Sequence, residues 1–184
     1  MIKIENLSKS FGEKKVLNDF SCEIPETGLT VISGASGIGK TTLIRLIAGL
    51  ETADSGSITG TDGKRISVVF QEDRLFPHLT ALENAAIVSD VQTAERILTA
   101  FRLGGDLDKK PSELSGGMCR RVSIARALAY GGDLLILDEP FKGLDEKLRA
   151  DVFEAVLEFS KKSAVILISH DSVFDPYAKK IIKM

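Results

Sequence analysis

Four side chains in this sequence, Lys40, Thr41, Asp138 and Glu139, have the types and surroundings that phosphoryl chemistry needs. Lys40 and Thr41 lie in the run Gly34, Ala35, Ser36, Gly37, Ile38, Gly39, Lys40, Thr41, Thr42, which fits the pattern GxxxxGK(S/T). An apolar strand-like stretch, Leu29 to Ser33, precedes it, and a helix-like stretch, Leu43 to Leu50, follows. That strand–loop–helix context separates the motif from a chance match. Glycines let the backbone curl until several N–H groups face one point, an anion nest. The opening helix adds about half a positive charge at the same place. Lys40 can then reach the outer phosphates of a nucleoside triphosphate, and the Thr41 hydroxyl can bind Mg²⁺. The plainer reading, a glycine-rich turn with an exposed lysine, leaves the flanking pattern unexplained.

Asp138 and Glu139 follow the apolar run Leu134 to Leu137. In an open α/β sheet, ligands bind beyond the carboxyl ends of the strands, so both carboxylates are expected beside the phosphate loop. Asp138 can hold Mg²⁺ through water. Glu139 can orient and deprotonate an attacking water. An acidic pair after a strand can also merely cap a turn; the upstream phosphate loop favours chemistry. Leu114 to Gly117, LSGG, opens a helix-like stretch and makes a second anion nest from Ser115, Gly116 and Gly117. One nucleotide in one chain has no use for two such nests. Two chains facing each other do, each closing the other's nucleotide. The local alternative is an ordinary helix N-cap at Ser115.

The elements that must position these groups follow from pattern. Strands are expected at Ile2–Leu7 and Val16–Ile24, with SKSFGEKK as a polar turn between them. Short strands are expected at Ser57–Gly60 and Ile66–Phe70. From Leu79 to Phe101 the pattern is helical, and Thr80 with Glu83 fits a capping box. A small helical subdomain is therefore placed at 74–112, inserted in a single domain spanning 1–184. The runs LLIL and AVILIS do not alternate, which suits parallel strands covered on both faces. Strands alternating with helices predict an α/β fold with a mainly parallel sheet.

Composition excludes several classes. A chain of 184 residues with 43% hydrophobic and 27% charged residues reads as a globular domain. The net charge of −2 gives no footprint for nucleic-acid binding. The basic pairs, Arg120–Arg121 among them, read as solvated faces. Cys22 and Cys119 offer neither metal-ligand spacing nor a disulfide framework, which suits a reducing cytoplasm. No apolar run approaches the roughly 18 residues of a membrane span. No signal peptide is expected in MIKIENL, and no regulatory domain beyond Met184.

Taken together, the motifs resemble the nucleotide-binding subunit of an ATP-binding cassette (ABC) transporter. The matching elements are GASGIGKTT, Gln71 in VVFQ, LSGGM, LLILDEP, GLD ending at Asp145 and SHD around His170, in the family's order. The resemblance covers essentially the whole chain and implies a P-loop ATPase core with an N-terminal antiparallel β element. It implies ATP and Mg²⁺ as cofactors. Phe11 would stack on adenine, where tyrosine is more usual; a core Phe in a hairpin is the alternative. Gly34 to Thr42 would cradle the triphosphate. Gln71 would sense Mg²⁺ and the attacking water. Ser115, Gly116 and Gly117 would bind the γ-phosphate across a dimer. Asp138 and Glu139 would be the metal and general-base pair. Asp145 would link the two sites, and His170 would contact the γ-phosphate.

The implied partners are a second copy of the chain, a membrane-spanning permease and a substrate-binding protein, with no nucleic acid. The implied location is cytoplasmic, peripheral on the inner face of the membrane. The stretch FQEDRLFPHLTALENAAI resembles importer subunits of the nitrate, sulfonate and taurine group. Met118 stands where glutamine is common, Gly143 where alanine is common, and Cys119–Arg120–Arg121 is unusual. Two other readings compete: a soluble ABC ATPase in a non-transport role, and a P-loop kinase. The first has no coiled coil or second cassette here; the second would not need LSGG.

Overall fold

The computed structural model describes residues 1–184. The chain runs β1 (Ile2–Phe11), β2 (Lys14–Ile24), β3 (Gly28–Ser33), α1 (Lys40–Ile47), β4 (Ser55–Thr59), β5 (Ile66–Val69), α2 (Ala81–Ala86), α3 (Val91–Ala100), α4 (Gly116–Tyr130), β6 (Leu134–Asp138), α5 (Glu146–Ser160), β7 (Ala164–Ile168) and β8 (Lys180–Lys183). Short 3-10 turns lie at Pro111–Glu113 and Ser172–Tyr177.

Five strands form an all-parallel sheet in the order β5-β6-β7-β3-β8. Every residue of β6 and β7 is buried, which is why neither run alternates in the sequence. Successive side chains still point to opposite faces. Leu135, Leu137, Val165 and Leu167 join a cluster with residues of α2, α3, α4 and α5. Leu134, Ile136, Ile166 and Ile168 join a second cluster on the other face with Leu43, Ile44 and Ile47 of α1. That second cluster also takes Ile2, Ile4, Leu7 and Ile24, so α1 lies between the parallel sheet and a three-stranded antiparallel sheet, β2-β1-β4. Each such buried Leu or Ile contributes about 1.5–3 kcal/mol.

Two sequence expectations need correcting. β1 does not stop at Leu7 but runs through SKSF, pairing Lys9 with Leu17 and Phe11 with Lys14. Register shifts between Ile4 and Leu7 and between Leu7 and Lys9 interrupt the alternation that marks a strand. α1 begins at Lys40, inside the motif and where its opening was expected, with Gly39 as its N-cap. The pair Arg120–Arg121 is not a solvated face. Arg121 is 7% exposed, donating from Nη1 to Phe101 O at 2.6 Å and from Nε to Gly117 O at 3.2 Å. The capping box is present: Glu83 N donates to Thr80 Oγ1 at 3.2 Å, and Thr80 N donates to Glu83 Oε2 at 2.8 Å.

Candidate functional site

Four adjacent parallel strands end on one side of the sheet, and each delivers part of one site. β3 leads into the loop before Lys40, β7 into His170, β6 into Asp138–Glu139, and β5 into Gln71. The loop needs its glycines. Gly37 and Gly39 sit at φ 77° and 113°. A Cβ on Gly39 would also stand 2.9 Å from Val16 O, against backbone that cannot yield cheaply. Lys40 is 7% exposed, and its Nζ donates to Gly34 O at 2.8 Å and Ala35 O at 2.9 Å. An ammonium has three donors, so one remains for a phosphate oxygen.

Thr41 Oγ1 donates to Asp138 Oδ2 at 2.7 Å. Asp138 is 1% exposed, and its Oδ1 is buried without a hydrogen-bond partner. Burial pushes its carboxyl above the usual range; Thr41, Gln71 and Lys40 oppose that. Glu139 sits at φ 51°, a left-handed conformation that costs a non-glycine residue about 1–3 kcal/mol. Its backbone N–H donates to Ile168 O at 3.1 Å, tying the turn to β7. His170 Nε2 lies 3.1 Å from Glu139 Oε1, but without the alignment of a hydrogen bond, so Oε1 is also buried and unpaired. Burial raises the Glu139 carboxyl as well; the nearby His170 opposes this, and the Asp138 charge adds to it.

These groups line a cavity of about 230 Å³ that also receives Ser36, Gly37, Thr42 and Gln71. Gly34 and Ala35 do not line it; their carbonyls hold Lys40 in place. Ile38 is an exposed residue of the loop, at 38%. Two lining residues were not singled out by the sequence, Lys14 and Val16. They come from the β1–β2 hairpin, and only the long-range contact of Val16 with Gly39 reveals them.

The remaining expected residues lie outside this cavity. Phe11 is half exposed at the hairpin end, with the Lys9 ammonium 5.2 Å from its ring centre. Gly116 and Gly117 line a separate polar groove of about 540 Å³, shared with Gln71 and Glu139. Ser115 caps α4, accepting from Met118 N at 3.3 Å, and Asp145 caps α5, accepting from Leu148 N at 2.9 Å.

A strand–loop–helix anion cradle facing carboxylates at the end of a parallel strand defines a P-loop nucleoside triphosphatase. Within that class, the chain belongs to the ABC transporter family, whose pattern matches residues 17–142. A sulfate/thiosulfate import ATP-binding protein of Yersinia pestis is 37% identical over 194 residues, covering 92% of this chain and 53% of that protein. A spermidine/putrescine import ATP-binding protein of Haemophilus influenzae is 36% identical over 191 residues, covering 93% of this chain and 51% of that one. The chain thus spans about half the length of these curated relatives. Among solved structures, a dimeric bacterial ABC transporter cassette superposes with a TM-score of 0.89 at 29% identity, covering 100% of this chain and 94% of that one. A post-hydrolysis dimer of such a cassette, bound to ADP and Pi, gives 0.89 at 28% identity.

Proposed function

We propose that this chain binds ATP with Mg²⁺, hydrolyses it, and serves as the motor subunit of a membrane importer for a small solute. The observation that carries the chemistry is the convergence of Lys40, Thr41, Asp138, Glu139 and His170 on one cavity. Asp138 Oδ1 and the Thr41 hydroxyl are hard oxygen donors that fit Mg²⁺. When bound there, Mg²⁺ supplies charge neutralisation on the phosphates.

The chain's own residues do the rest. Gly37, Gly39 and Lys40 hold the triphosphate, and Phe11 offers a π-face to the base. Glu139 orients water at the γ-phosphate and takes its proton. Gln71 and His170 position that water and the γ-phosphate. A second copy brings Ser115, Gly116 and Gly117 to the open side of the nucleotide, and Asp145 links the two sites. Dimeric cassettes among the structural neighbours support the pairing of two copies. The helices within 74–112 form a small subdomain of a single cassette domain, and carry the motion to a permease. No helix of this chain is long and apolar enough to cross a membrane. A substrate-binding protein would deliver the cargo. The relatives carry sulfate or thiosulfate in one case and spermidine or putrescine in another, so likeness leaves the cargo open.

Phosphate release from Mg-ATP without any acceptor tests the reaction. Release supports the ATPase; phosphorylation of a small molecule instead would make it a kinase. Retention of a multi-spanning membrane protein by tagged Glu139→Gln chain from solubilised membranes tests the partner. Retention of only soluble proteins would favour a non-transport ATPase.

A further inference from the structure

Arg120 departs from the pattern of its motif and is held in a way that pattern does not explain. It lies one turn into α4, just past the Ser115–Gly117 nest, with its side chain 11% exposed. Its Nη1 donates to Phe70 O at 2.6 Å, its Nη2 donates to Gln71 O, and its Nε lies 3.1 Å from Asp73 Oδ1. One planar fork therefore spans three residues of the segment leaving β5. The β5–β6 ladder ends at Val69 paired with Leu137, so the carbonyls of Phe70 and Gln71 fall beyond its reach. Six residues further along α4, Arg126 donates to Arg74 O at 3.0 Å. Two turns of α4, one near its start and one in its second half, are thus joined to the 70–74 segment by guanidinium groups.

We propose that Arg120 is a positioning residue that fixes the backbone from which Gln71 projects into the catalytic cavity. This rests on the ATPase reading above. Gln71 faces both the cavity around Lys40 and the groove that holds Gly116 and Gly117. Arg120 locks its main chain to the very helix that presents Gly116 and Gly117. The Gln71 segment and the second anion nest then move as one body. Lysine cannot substitute: a single ammonium is a point charge on a flexible stem and cannot reproduce the forked bonds to the Phe70 and Gln71 carbonyls together with the ion pair to Asp73.

The test is steady-state Mg-ATP hydrolysis by the unaltered chain, Arg120→Gln, Arg120→Lys, Gln71→Ala and the Arg120→Gln/Gln71→Ala double variant. Positioning predicts that both Arg120 variants lose kcat on the order of 10–100-fold. KM for ATP should stay within about twofold, because the phosphate cradle is untouched. The double variant should be no slower than Gln71→Ala alone, since both changes remove one function. An unchanged kcat, or losses that multiply in the double variant, overturns the proposal. Hydrogen exchange over residues 70–76 gives a readout that needs no turnover. Faster exchange there in Arg120→Gln is expected; unchanged exchange overturns the proposal by itself. If the unaltered chain releases no phosphate but exchange still rises in the variant, the ATPase reading falls while the tie between Arg120 and the 70–73 backbone stands.

Discussion

Glu139, the proposed general base, is held by a conformation its own side chain disfavours. Its φ of 51° is maintained by the N–H bond to Ile168 O and by the buried Pro140 and Phe141 that follow. Phe141 stacks on Phe174 at 4.9 Å and meets Phe153 edge-on at 5.8 Å, so an aromatic group anchors the turn. Glu139→Gln keeps the size and removes the base. Phosphate release should fall by roughly 10²–10⁴-fold while nucleotide still binds; a colorimetric phosphate assay and a nucleotide-binding titration check both halves. Gly39→Ala meets two obstacles at once, φ 113° and Val16 O at 2.9 Å. It should cost about 1–3 kcal/mol of stability and weaken nucleotide binding, read by thermal denaturation with and without ATP. The motif residues were legible because phosphate chemistry restricts both type and spacing. Lys14 and Val16 were not, because a hairpin brings them to the loop from far along the chain.

The elements carry a tension between local signals and tertiary contacts. Thr80–Glu83, Asp90, Ser115 and Asp145 all cap helices, and the first of these was legible as a capping box. β1 was half legible, since its bulges break the period that marks a strand. The Arg120–Arg121 pair shows where charge pattern misleads. Nothing local distinguishes a solvated arginine from one whose fork closes orphaned carbonyls across a domain. Arg121 binds Phe101 O, and Phe101 is 0% exposed. Arg121→Met keeps the apolar stem and leaves that carbonyl unpaired. It should destabilise the chain by about 1–3 kcal/mol in urea unfolding, with little change in slope. A change under a few tenths of a kcal/mol would mean the carbonyl finds another donor.

At the scale of the molecule, the parallel order β5-β6-β7-β3-β8 explains why residues distant in sequence meet. The phosphate loop, Gln71, Asp138–Glu139 and His170 each lie at or beyond the end of one of these strands, so the sheet's own geometry gathers them. The α/β class and the parallel sheet were legible from non-alternating apolar runs; the strand order was not, because it depends on pairings that local pattern does not encode. The second nest, Ser115 to Gly117, lies across a groove from the phosphate cavity rather than in it. That separation fits the proposed two-chain site, in which the nest closes another copy's nucleotide. The central claim is therefore that ATP joins two chains. The most direct measurement is the mass of Glu139→Gln in solution by light scattering, with and without Mg-ATP. A monomer of 19.9 kDa is expected without nucleotide and twice that mass with it. A mass that stays at 19.9 kDa with saturating ATP bound would contradict it.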